Sequence, residues 1–454
     1  MPVPAAPAVP PAPRFSTDTF PPAARRSRLL QTLLVTRDPL GELQRARDLH
    51  GPVFTLRIFP YAGVICATDS ATNKQVLADH SRFAAGDAAD LLEPVIGSGS
   101  LILTPAPRHQ RNRKLLMPPF QGQRAARWAT LIQELVDQQL PALLTGETVA
   151  VRPWAQRLTL DVILRVVFGI DDPARRTEFR HALDALMAPS NQVLLFAPAK
   201  IRADLGPLSP GRSFQRKRRR VDELLLEEIE RRRAEPDSVN RDDVLSVLLH
   251  ARDEDGVGYT DDELRDELKG LVIAGHETTA TALAWTLHLL ALHPAATAAL
   301  QADLAVGSTE YLSATIKESM RFRAPVWDAI RIATEDTELG GQPIPAGSYV
   351  SAMFCVTHLD DSSWPDAAEF RPERHLAAQT HDSWALTPFG GGARRCIGAA
   401  LATIELEAVL TSVLSRATPE AVGGLEPTRL LGVTLVPAKG GRVRLVPRVP
   451  DRRP

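Results

Sequence analysis

The sequence predicts a mainly α-helical chain with a smaller β-rich portion built from both of its ends, and three patterns lead to that expectation. From residue 70 to about residue 233 most segments repeat apolar residues at helical spacing, with breaks at Gly97-Ser98-Gly99, Pro118-Pro119, Pro141 and 198–211. Thr260-Asp261-Asp262-Glu263 is a capping box, and the helical pattern it opens runs to His293, where Pro294 stops it. Short runs of β-branched and aromatic residues divided by turn residues occur at 51–67 and again in the last third of the chain.

Taken in order, the lead "MPVPAAPAVPPAPRFSTDTFPPAARRSR" carries proline where a signal peptide needs a continuous apolar run. Residues 1–25 are therefore expected to be a proline-rich, disordered N-terminus, and 26–454 a single domain. The stretch "GPVFTLRIFPYAGVICA" reads as a pair of strands around Pro60-Tyr61-Ala62-Gly63. After the long helix from Thr260, "EYLSATIKESMRF" is helical, and "RIATEDTELGGQPIPAGSYVSAMF" alternates turns with strand-like runs. A glycine-rich loop, "TPFGGGARRCIGAA", leads into a last helix over about 397–415, and the C-terminus reads as a hairpin around Lys439-Gly440-Gly441.

Composition narrows the function. The 454 residues are 44% hydrophobic and 24% charged, and 53 basic against 54 acidic side chains leave a net charge of -1. No global field attracts nucleic acid or an anionic membrane. The run "RKRRR" at 216–220 leads into "VDELLLEEIERRR", where acids and bases alternate on a solvated helix face. Three distant cysteines, Cys66, Cys355 and Cys396, fit neither a disulfide framework nor a zinc cluster, so the expected compartment is the cytoplasm, with no membrane anchor. Cys66 and Cys355 lie in apolar, strand-like runs and read as inert core residues.

Cys396 differs. It ends a glycine loop just before a helix N-terminus, where backbone N–H groups and the helix dipole favour thiolate. Glycines allow close approach of a flat group, and a lone thiolate on haem iron is the arrangement that promotes O–O cleavage. A free cysteine, a phosphate loop and a cysteine nucleophile are the alternatives; the second lacks its Gly-Lys-Ser/Thr, and the third needs a nearby histidine. The second unusual run is Ala274-Gly275-His276-Glu277-Thr278-Thr279-Ala280, with a carboxylate and two hydroxyls inside an apolar helix. A zinc motif would need histidine at position 280, which is Ala.

Phe389, Gly392, Arg394, Cys396 and Gly398 match Phe-x-x-Gly-x-Arg-x-Cys-x-Gly, and at these residues the chain resembles the cytochrome P450 family. Further landmarks follow the family's order over nearly the whole chain. The resemblance implies the P450 fold, haem b held by Cys396 and framed by Phe389 and Gly398, and propionates paired with His109, Arg113, Arg331 and Arg394. It implies a structural network of Glu318, Arg321 and Arg374, although His375 stands where the family often has an aromatic. Ala274 and Gly275 are implied beside the distal haem face, Gly275 making room for oxygen. Glu277 and Thr278 would relay protons, with Thr278 hydrogen-bonding back to Ala274 and opening the helix locally. The substrate pocket is implied to draw on Phe196, Val326, Trp327, Asp328, Ile330 and Val433, mostly apolar; Asp328 is expected to pair internally.

The activity so implied is a monooxygenase that puts one atom of O2 into a lipophilic small molecule. Electrons from NAD(P)H would arrive through a ferredoxin or flavodoxin and its reductase, docking on a basic patch of Arg111, Lys114, Arg124, Arg127 and Arg395. A monomer is expected. The rivals are a peroxide-driven oxygenase, which should lack the Glu277-Thr278 pair, and a non-catalytic haem sensor.

Overall fold

Thr260 opens the helix that organises the molecule. Its hydroxyl accepts from Glu263 N while the Glu263 carboxylate accepts from Thr260 N, so two otherwise unpaired N–H groups are satisfied where Asp261–Leu292 begins. Pro294 ends this central helix and, at the favoured first position, starts Pro294–Ala305. The computed structural model describes residues 10–16, 19–120, 123–188, 194, 204, 206, 209–376 and 382–448. Leu268, Val272, Leu283 and Leu287 of the central helix share the largest apolar cluster with Leu158 and Ile163 of helix Val151–Val166 and with Leu410 and Val413 of helix Ala399–Arg416. Burying this stripe, more than helical propensity, fixes the three helices together. Among the described residues no single helix is long and apolar enough to cross a membrane.

The strands are β1 (Val53–Leu56), β2 (Val64–Ala67), β3 (Phe83–Ala84), β4 (Thr148–Ala150), β5 (Ala329–Ala333), β6 (Thr337–Leu339), β7 (Gln342–Ile344), β8 (Tyr349–Ala352), β9 (Ala417–Ala421), β10 (Thr428–Leu431), β11 (Thr434–Pro437) and β12 (Arg442–Pro447). The main sheet has the order β1-β2-β8-β5-β3, and its parallel β2–β8 pair joins the two ends of the chain. The expected β1–β2 pairing is present, with Val53 opposite Ala67.

Three local expectations change. The C-terminal hairpin turns at Gly432-Val433, where β10 pairs with β11, and β12 instead joins β4 and β9. The reason is Glu426: its buried carboxylate accepts from Lys439 N at 2.7 Å, Gly441 N at 3.3 Å and Arg442 N at 2.7 Å, so the Lys439-Gly440-Gly441 turn bonds to a side chain and sends the strand elsewhere. Cys355 sits in a one-turn helix, Phe354–Thr357, whereas Cys66 is on β2; both are buried. Within the proline-rich lead, Phe20 is buried and Thr55 N donates to Pro22 O at 2.7 Å, so residues 20–23 lie along β1 as ordered chain.

The basic run is on helix Pro210–Ala234, where Arg220 bonds to Glu178 and Glu223 and Arg218 lies 3.9 Å from Asp222. The expected basic docking patch is narrower than the sequence suggests. Arg111 bonds to Asp253, Lys114 to Glu254 at 3.0 Å and Arg127 to Asp242, because the 242–254 segment brings acids alongside; Arg395 is exposed, and the side chain of Arg124 is outside the described residues.

Candidate active site

Cys396 is presented by a turn that only this loop chemistry can build. Its N–H donates to Phe389 O at 2.8 Å, and Gly392 has φ +62°, with a Cβ there falling 2.3 Å from Leu77 O. Glycine is required at that position on both counts. Gly398 caps helix Ala399–Arg416 and aims its N–H at the sulfur. Burial raises the thiol nonetheless, and Gly398 N–H, Arg113 and Arg395 offset it only in part. The dipole argument from sequence is therefore outweighed by desolvation; a bound metal ion supplies the charge that deprotonates such a thiol. Although hemmed in by protein, Cys396 keeps accessible surface, as does Ala274 in the middle of the otherwise packed central helix. Accessible surface so deep in a fold marks the wall of an internal cleft.

The four residues expected around the propionates come together. His109 is pushed down to about 3 by burial and then by the charges of Arg394, Arg113, His80 and Arg331, so all five share one neighbourhood. Burial also lowers Arg331 to about 10, its Nε has no partner, and its Nη1 donates only to Ile330 O. Arg113 has no side-chain partner among the described residues. A buried group of guanidiniums and imidazoles is unstable without anions, and a cofactor with two carboxylates meets that need. His80, whose Nε2 accepts from Ala393 N at 2.9 Å, was not legible in the sequence, because its partner lies 313 positions away.

Arg394 has a second duty. It donates to Leu101 O at 3.0 Å and Thr104 O at 2.7 Å, while the same loop is held from the central helix by Asp266, which accepts from Gly99 N at 3.0 Å, and Glu267, which accepts from Leu101 N at 2.9 Å. Burial raises the Glu267 carboxyl to about 8.

The Glu318 network is closed. Its carboxylate, fully buried, accepts from Arg321 Nε at 2.8 Å and Nη2 at 2.9 Å, from Arg374 Nε at 3.1 Å and from Arg371 N at 2.8 Å. His375 explains its departure from the family pattern: its Nε2 lies 3.0 Å from Glu318 Oε2 and its ring packs against Trp364. Arg321 also donates to His358 O, and His358 Nε2 accepts from Thr387 N at 2.9 Å, which anchors the start of the cysteine loop.

On the central helix, Thr278 Oγ1 donates to Ala274 O at 2.6 Å. The helix stays continuous there, so the carbonyl is shared and the local opening expected from sequence is absent. Gly275 faces helix Val151–Val166: a Cβ would lie 3.0 Å from Ile163 Cδ1, so its missing side chain lets two helices approach, a role other than the expected room for oxygen. Glu277 turns away from Thr278. Its carboxylate accepts from Arg152 Nε at 2.9 Å, Gln156 Nε2 at 2.8 Å and Thr281 Oγ1 at 3.2 Å. Neighbouring residues on a helix diverge by about 100°, and Glu277 shares its face with Thr281 while Thr278 shares one with Ala274. His276 is buried on the side of Thr159, which donates to its carbonyl, and among the described residues no three metal-ligating side chains converge.

Of the implied pocket residues, Val326 bridges to Thr434 on the hairpin that exposes Val433, and Trp327 packs near Leu430. Asp328 accepts from Ser351 Oγ, and Ile330 lies on β5 opposite Ser351. Phe196 lies outside the described residues.

A lone thiol with accessible surface on a glycine loop, a cluster of buried cations suited to two carboxylates and a threonine at the centre of a crossing helix are the parts a haem-thiolate site needs. Comparison with known proteins agrees. The sequence profile of cytochrome P450 matches residues 21–440. Cytochrome P450 135B1 of Mycobacterium tuberculosis is 36% identical over 440 residues, covering 94% of this chain and 91% of that one. Cytochrome P450 135A1 of the same organism is 34% identical, covering 95% and 96%. Retinoic-acid-bound cyanobacterial CYP120A1 superposes with a TM-score of 0.81 at 23% identity, covering 97% of this chain and 100% of that one, a likeness of fold. The chain belongs to the cytochrome P450 family and is a haem-thiolate monooxygenase.

Proposed function

We propose that this enzyme inserts one oxygen atom from O2 into an apolar small molecule, by hydroxylation or epoxidation, with electrons delivered by a separate ferredoxin or flavodoxin and its reductase. The observation that carries this reading is Thr278, its hydroxyl on the Ala274 carbonyl beside accessible surface at mid-helix. Cys396 would ligate the iron of haem, and Arg113, Arg331, Arg394 and His109 would hold its two carboxylates. When bound, haem supplies the binding and reductive cleavage of dioxygen that a thiolate ligand promotes.

The protein's part is protons and exclusion of water. Because Thr278 spends its own proton on Ala274 O, its oxygen is left as an acceptor, suited to hold a proton-bearing group in place. Glu277 supplies protons on this reading only when its carboxylate leaves Arg152, so the Arg152–Glu277 pair regulates delivery. The apolar residues Val326, Trp327, Ile330 and Val433 orient the substrate and keep the site dry. Arg395, exposed beside the cysteine loop, remains to meet an acidic redox partner.

Reconstitution of the holoenzyme with a surrogate ferredoxin and reductase tests this. Oxygen uptake coupled to an oxygenated product is the expected result. Ligand binding without turnover would establish the sensor instead, and product formed only with added peroxide would establish the peroxide-driven reading.

A further inference from the structure

Asp328 carries a carboxylate that is only half used. Ser351 Oγ donates to Oδ2, and no other hydrogen bond or ion pair reaches the group among the described residues. Arg331, three residues along β5, acts on it through its field without contact. Oδ1 retains accessible surface although the residue lies deep in the protein. Tyr61 stands within electrostatic reach, at the β1–β2 turn, its ring 4.6 Å from that of Tyr349; no hydrogen bond engages its hydroxyl among the described residues. Beside this polar spot lies an apolar wall: Trp327 and Leu430 pack against the cluster of Leu56, Met353 and Leu435. Burying a carboxylate with one hydrogen bond is costly unless something else completes it. Burial raises its affinity for a proton, so that its pKa rises to about 6, with Ser351 and Arg331 offsetting only in part.

Resting on the proposed oxidation of a lipophilic molecule, we infer that Asp328 is the specificity residue, accepting through Oδ1 a hydrogen-bond donor, hydroxyl or ammonium, carried on one end of an otherwise apolar substrate. The substrate class is then an amphipathic molecule and not a pure hydrocarbon. Ser351 is a positioning residue: it holds Oδ2 and so turns Oδ1 toward the ligand.

The test uses the holoenzyme and the Soret shift on titration with 1-dodecanol, its methyl ether and dodecyltrimethylammonium, which carries charge without an N–H. The alcohol should bind about tenfold more tightly than the ether, the expected worth of a hydrogen bond to a charged acceptor. The trimethylammonium ion separates charge from donation: it should bind more weakly than the alcohol, and binding as tight as the alcohol's would show that charge attraction without a donated hydrogen bond governs the site and would overturn the assignment. Asp328→Leu should erase the alcohol's advantage and leave the ether unchanged. Should that variant lose haem, Asp328→Asn serves: with its carbonyl held by Ser351, its amide N–H2 faces the ligand, alcohol and ether oxygens accept from it alike, and the alcohol's advantage should vanish. An alcohol-to-ether ratio unchanged in Asp328→Asn overturns the assignment while leaving the lipophilic-substrate reading intact. No shift with any of the three compounds in the unmodified enzyme overturns both.

Discussion

Replacing Glu318 by alanine removes the acceptor for Arg321, Arg374, His375 and Arg371 N at once, and leaves the fully buried Arg321 guanidinium with Nε and one Nη2 bond unmade. Breaking one partner of a buried pair costs roughly 3–5 kcal/mol. The titration of Glu318 gives a second route to the magnitude. Burial alone would raise its carboxyl, but the bonds from Arg321 and His375, the charge of Arg321 and the Arg371 N–H outweigh burial and hold it at about 2, against an ordinary 4.5. At ~1.36 kcal/mol per tenfold in proton affinity, that depression corresponds to roughly 3 kcal/mol. The two routes agree, and the loss is a large share of the ~5–15 kcal/mol that holds a typical domain together. Since the folded pKa is depressed, this stability is complete above pH 4.5 and disappears as pH falls through 2. The assay is urea unfolding of the holoprotein from pH 7 to pH 3, with haem retention followed by the carbon-monoxide difference spectrum. Glu318→Ala should unfold at lower urea, lose haem and flatten the acid limb. An unchanged midpoint with full haem retention would refute the network's role, and so would an unchanged acid limb.

Cys396→Ser should lose the red-shifted Soret band of the ferrous carbon-monoxide complex, whereas Cys355→Ser should keep it; the opposite pattern would reassign the ligand. Thr278→Ala should bind haem and substrate normally but divert electrons to hydrogen peroxide, read as a lower ratio of product to NAD(P)H consumed. Arg152→Leu leaves Glu277 with Gln156 and Thr281 alone and should cost about 2–3 kcal/mol in urea unfolding, the pair being partly exposed; no loss would show that the pair is held by something else. Glu267 binds its proton more tightly when folded, at about 8, so wild-type stability is fully present below pH 4.5 and falls as pH rises through 8. Glu267→Gln should remove that alkaline decline, and an identical decline in both proteins would assign it to another group.

The capping box, the proline at position 294 and the glycine-cysteine loop act on their own backbone within a few residues, so the long helix and the cysteine turn could be read directly from the chain. The order of motifs was likewise enough to specify the family. Whatever depends on a partner far away in sequence was decided only by tertiary packing. Glu426 redirects β12 because its carboxylate arrives from before the hairpin, and His375 takes the place of an aromatic because Glu318 has room for one more donor. Glu277 and Thr278 are adjacent in sequence, yet helix geometry parts them, giving one to Arg152 and the other to the Ala274 carbonyl. Local hydrogen-bonding rules operate over one turn and are encoded in place; which face a side chain shows, and to whom, is set by the distant apolar surfaces that the chain buries together.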